Sequence, residues 1–170
     1  MDLHVDKKAY FHRCKQKQLK VMKNFVIEPL KGFGEIPFGM SLDEAVKKLG
    51  SPNFYEEVGD MEVIGNRSIY YEYDDLETSI YFEGITKSVV ACFETENEDA
   101  VLFGTKVFDL NRAEVIELMH ENGFKKSEEE EEDGDHRVSF DDAMIDFFFD
   151  GDTMTLVSWG VLVDDQGNII

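Results

Sequence analysis

The residues of this chain that could do chemistry are its acids. There are thirty-seven Asp and Glu among 170 residues, against four His and two Cys. Carboxylates can serve as general acids and bases, as metal ligands or as seats for a cationic partner. The first two uses need company that the sequence does not supply. His4, His12, His120 and His136 are scattered. No Gly-x-Ser-x-Gly, Walker loop, dinucleotide glycine fingerprint, His-Glu-x-x-His or Cys-x-x-Cys occurs. We therefore assign no catalytic residue, no metal site and no cofactor. Cys14 and Cys92 lack metal-ligand spacing and read as two free thiols in a reducing compartment.

The densest charge run is "SEEEEEDGDH", in which Glu128, Glu129, Glu130, Glu131 and Glu132 precede Asp133. Packed like charges repel, so the run reads first as a solvated loop and second as an acidic arm for a basic groove. Neither this run nor "DDQGN" (164–168) has the alternating acids, central Gly and closing Glu of an EF-hand loop. Asp74, Asp75, Asp141 and Asp142 read as turn residues whose side chains cap their own backbone. A divalent-metal hydrolase built on those four is the least favoured alternative.

The net charge of −20 opposes binding to nucleic acid or an anionic membrane, since both are polyanions. It favours a basic partner. Residues 1–31 carry eight Lys/Arg and three acids, so the remainder of the chain holds −25. The basic segment 1–37 is expected to dock on the acidic body, as a helix or as a strand. No apolar run approaches the ~20 residues of a membrane span. Met1 to Lys20 lacks the apolar core of a signal peptide, which leads us to expect a cytoplasmic protein.

Positioning the acids requires elements, and the sequence outlines them twice. "YDDLETSIYFEGITKSVV" (73–90) aligns without gaps at offset 67 with "FDDAMIDFFFDGDTMTLV" (140–157). Each reads as strand, acidic turn, strand, glycine turn, strand, with Gly84 and Gly151 supplying positive φ. A helix precedes each. Ser41 with Glu44, and Asn111 with Glu114, form capping boxes; Gly50 and Gly123 stop the helices. The expected fold is α+β: two tandem repeats of a helix followed by an antiparallel β-meander, 38–108 and 109–170, with the helices packed on one face of a curved sheet.

"FGMSLDEAVKKLGSP", followed by "YYEY" and "IYFEG", resembles the tandem units of the β-lactamase inhibitor protein family. It is also similar to the small lipoproteins of the outer-membrane β-barrel assembly machinery. The resemblance implies a protein-binding scaffold whose free sheet face takes the partner.

Strand alternation sorts the residues between faces. Ile69, Tyr71, Tyr73, Ile80, Phe82, Val90, Phe140, Phe147, Phe149 and Val157 are expected on the covered face. Tyr70, Glu72, Glu77, Tyr81, Lys87, Asp146, Phe148, Met154 and Trp159 are expected on the open one. Aromatics ringed by acids match protein interfaces. The functional expectation is a non-enzymatic inhibitor or immunity protein that occludes a basic toxin or enzyme, a nuclease above all. The alternative is an assembly scaffold that binds a constitutive partner.

Overall fold

The computed structural model describes residues 22–58 and 68–170. The expected docking of the N-terminal segment falls largely on 1–21, outside the described residues.

The eight-stranded antiparallel sheet that dominates the molecule is assembled from two runs of strands. The first contains β4 (Phe54–Val58), β5 (Ser68–Tyr73), β6 (Thr78–Glu83) and β7 (Val89–Thr95). The second contains β10 (Glu128–Glu132), β11 (Asp135–Phe140), β12 (Ile145–Asp150) and β13 (Thr153–Gly160). Their spatial order is β10-β11-β12-β13-β7-β6-β5-β4, so β13 and β7 fuse the runs into one surface. Local geometry recurs at offset 67. Glu77 and Met144 both turn left-handed, at φ 47° and 48°, as do Gly84 and Gly151, at 104° and 61°. Register shifts fall after Tyr81 and after Phe148.

A second, five-stranded sheet was not foreseen. It orders β3 (Ile36–Pro37), β2 (Gly32–Phe33), β1 (Val26–Glu28), β8 (Val101–Leu102) and β9 (Thr105–Lys106). It packs on the inner face of the large sheet around Trp159. Phe33 meets Trp159 edge-on at 5.0 Å, Phe93 stacks on it at 5.3 Å, and the indole N–H donates to the Gly32 carbonyl at 3.1 Å. The close approach at Gly32 requires glycine, because a Cβ there would run into the Ile36 carbonyl.

The expected α+β architecture of two tandem helix-plus-meander repeats, helices packed on one sheet face, is therefore corrected. The described chain is mostly β, in two sheets, with only two α-helices: α1 (Leu42–Leu49) and α2 (Arg112–Glu121). The physical reason is that strands of two or three residues carry no readable period. Residues 22–37 were thus read as part of the basic N-terminal segment and 97–108 as the end of the first repeat, yet they build a sheet through the parallel pairing of β1 with β8. Both capping boxes form as expected, and each helix sends one pair inward, Ala45 with Leu49 and Val115 with Met119. Among the described residues no helix is long and apolar enough to cross a membrane.

Candidate functional site: the open face of the large sheet

One face of the large sheet is the core. Ile80, Phe82, Phe93, Val138, Phe140, Phe147, Phe149, Val157 and Trp159 are buried there, with Ile69 and Tyr71 packed against them. The other face is built by residues that pair side by side across the strands, and four such rows define it.

The longest row crosses seven strands. Glu72 pairs with Ser79, Ser79 with Glu94, Glu94 with Ser158, Ser158 with Asp146, Asp146 with Ser139, and Ser139 with Glu128. Carboxylate and serine alternate without interruption. Strands lie about 4.8 Å apart, so successive carboxylates recur about every 9.6 Å. A second row runs Glu56, Tyr70, Tyr81, Cys92, Gly160. A third runs Glu130, Arg137, Phe148, Leu156, and a fourth Glu132, Asp135, Asp150, Thr153. In the fourth row like charges stand directly opposite each other, which opposes folding. Arg137 is the one cation in these rows, and Glu130 already holds it at 2.6 Å.

Tyrosines fix two of the carboxylates. Tyr81 O–H donates to Glu94 at 3.2 Å. The Tyr70 hydroxyl lies 3.3 Å from the Glu72 carboxylate and 2.9 Å from the Ser79 hydroxyl. Burial, with the Glu94 charge beside it, raises the Tyr81 phenol above its ordinary value. Burial likewise pushes the Cys92 thiol up to about 12. Its Sγ lies 3.7 Å from the Ser158 hydroxyl. At one end of the face the bare Gly160 opens a groove of about 590 Å³, lined by Glu83, Cys92, Asp141, Met144, Asp146, Ser158 and Leu162 among others.

The sequence-derived residues distribute as follows. Tyr70, Glu72, Tyr81, Asp146 and Phe148 do share the open face. Met154 and Trp159 do not: they are 4% and 1% exposed in the core. The register shift in β13 leaves Thr155 unpaired between Leu156 and Met154, which turns Met154 inward. Trp159 is a strand residue two places from Val157, and so shares its face. Glu77 sits off the face in a turn, beside a hollow of about 400 Å³ with Asn97, Glu98, Asp99, Lys106 and Asp109. Lys87 is in the turn between β6 and β7. Glu128, Glu129, Glu130, Glu131 and Glu132 form strand β10 rather than a loop, because β11 pairs with every one of them. Asp133 takes a left-handed turn beyond it, at φ 52°. Glu129 and Glu131 face away from the row, opposite Val138 and His136.

The acidic turns close through backbone rather than side chains. Glu77 N–H donates to the Asp74 carbonyl at 3.0 Å, and Met144 N–H to that of Asp141 at 3.2 Å. Asp164 does cap its own turn, accepting from the Gln166 and Asn168 N–H groups at 2.9 and 2.8 Å. Among the described residues no three His, Cys, Asp or Glu are grouped to hold a metal. Sequence reasoning missed Ser79, Glu94, Ser139 and Ser158. Each is unremarkable in its own strand, and only pairing across strands joins them.

No protein-family model matches the chain, and no curated protein matches it. Among solved structures it is similar to an extracellular protein containing an SCP domain from Bacillus anthracis strain Ames. The identity is 13% and the TM-score 0.41, over 71% of this chain and 42% of that one. The chain thus spans less than half of that protein, and a likeness this low carries neither fold nor function.

Proposed function

We propose that the protein is a non-enzymatic binding module that captures a basic protein on the open face of its large sheet. One observation carries the reading: the face presents rows of carboxylates with a single, already paired cation, interleaved with Tyr70, Tyr81, Phe148 and Leu156. Carboxylates steer a cationic partner into contact, and the half-buried aromatic and aliphatic side chains anchor it. A basic toxin or enzyme fits best, since an active site that handles phosphates must itself be positive. Covering such a site would inhibit it without any chemistry by this chain.

The test compares three immobilised proteins in host extract at low and high salt. They are the wild type, a row variant (Glu72→Gln, Glu94→Gln, Asp146→Asn) and a control neutralised elsewhere, on the small sheet and on α2 (Glu35→Gln, Glu117→Gln, Glu121→Gln). The expected result is a basic protein held by wild type and control, released by salt and lost from the row variant. Equal capture by wild type and row variant would overturn the proposal. Salt-indifferent capture of a neutral partner would support a constitutive scaffold instead.

A further inference from the structure

The two edges of the large sheet are built oppositely. At one edge, β10 presents five glutamates, a charged margin of the kind that keeps a sheet from pairing further. At the other, β4 is paired with β5 alone among the described residues. Alternate N–H and C=O groups along Phe54–Val58 therefore point outward. Two rings stand on this edge: Phe54 is 50% and Tyr55 69% exposed.

Each ring is the last step of an aromatic ladder that comes out of the sheet. On the open face Tyr81 meets Tyr70 at 5.1 Å, and Tyr70 meets Phe54 at 6.2 Å. On the inner face Phe82 meets Tyr71 at 5.1 Å, and Tyr71 meets Tyr55 at 6.1 Å. Phe82 is fully buried and Tyr55 mostly exposed, so cover falls away towards the edge. Cross-strand aromatic and β-branched pairs stabilise a sheet step by step, and both ladders end on a ring with no strand beyond it among the described residues.

Three features define an occupant. The outward backbone groups call for an extended chain, since a helix satisfies its own. The two rings call for apolar residues opposite them, one on each face, which strand alternation supplies at adjacent positions. Glu56, exposed on the open face opposite Tyr70, calls for a basic residue beside those two. A second copy of this chain meets the first two demands and fails the third, because it brings another Glu56 and another net charge of −20.

Building on the capture of a basic protein, we infer that β4 adds a ninth strand from that partner, antiparallel like every other pairing in this sheet. The strand carries a basic residue opposite Glu56, followed by two apolar residues opposite Tyr55 and Phe54. The backbone bonds hold it, and the capped ladders with the Glu56 pair fix its register.

The test titrates the peptide Thr-Thr-Lys-Val-Tyr-Thr, acetylated and amidated, into the full chain and follows its backbone amides by NMR. Two further peptides carry N-methyl groups at their odd or at their even residues. Alternate N–H groups of an added strand face the sheet and the rest face solvent, so one N-methylated peptide should bind about tenfold more weakly and the other as the parent does. Glu56→Lys should weaken the parent peptide about threefold, and a peptide with Glu in place of its Lys should recover that loss. The double replacement Phe54→Thr with Tyr55→Thr, at two exposed positions, should weaken binding about tenfold while circular dichroism stays native. No binding, equal effects of the two N-methylated sets, or shifts confined to strands other than β4 and β5 would overturn the inference. So would a dimer of the free protein, seen by sedimentation, that the double replacement dissolves. Such a failure is distinct from failure of the broader proposal, which is decided by a row variant whose three substitutions lie on β5, β7 and β12.

Discussion

Cys92 sits on the open face, beside Ser158 and one row from the carboxylates. It is the free cysteine of the described residues. A thiol held near 12 by burial has almost no thiolate at neutral pH, and thiolate is the nucleophile. Cys92 should therefore be alkylated by iodoacetamide far more slowly in the folded protein at pH 7.5 than after unfolding, as followed by mass spectrometry. The same burial has a consequence for stability. Cys92, Tyr73 and Tyr81 all have folded values raised above their ordinary ones of 9.0 for the thiol and 10.0 for the phenols, burial being the first cause in each. A raised value means that the fold holds the proton more tightly than the unfolded chain does. Their contribution is complete below about pH 9 and is lost as pH rises through the folded values. Urea midpoints should stay level from pH 7.5 to 9 and fall beyond it. A midpoint unchanged at pH 11 would contradict the burial of these three groups.

At the scale of elements, the joint between the two sheets is Trp159. Its ring packs on Phe33 and Phe93, and its N–H completes the Gly32 carbonyl. Trp159→Phe keeps most of the apolar contact and removes one donor from the Gly32 carbonyl. The expected loss is about 1–3 kcal/mol by urea unfolding, with the fold retained. This joint also marks where the sequence stopped being legible. The helix caps could be read because Ser41 and Glu44, or Asn111 and Glu114, act across three residues of one segment. The turns at Gly84 and Gly151 were legible for the same reason. Met154 was misplaced because one unpaired residue, Thr155, reverses the alternation, and nothing in "DTMTLVSW" announces it. The five glutamates of β10 favour a loop on local propensity. Pairing with β11, which brings Arg137 against Glu130, makes them a strand. The carboxylate–serine row is beyond local reading altogether, since its seven members come from seven strands.

For the whole molecule, a net charge of −20 together with the carboxylate rows of the open face has two opposite consequences in salt. In the free protein, Asp135 faces both Asp150 and Glu132 across strands, and these repulsions weaken as ions screen them. Raising sodium chloride from 20 to 500 mM should raise the thermal midpoint of the protein alone. In the complex, screening weakens the attraction that steers and holds a basic partner, so affinity should fall over the same range. A partner whose affinity rises with salt would not be one recognised by this face.

The most direct measurement is carboxyl footprinting of the complex with the captured basic protein, using a water-soluble carbodiimide and mass spectrometry. Glu72, Glu94, Asp146 and Glu128 should be protected in the complex, while Glu117 and Glu121 on α2 label as they do in the free protein. Unchanged labelling of the row, with protection on α2 instead, would contradict the assignment of the open sheet face as the binding surface.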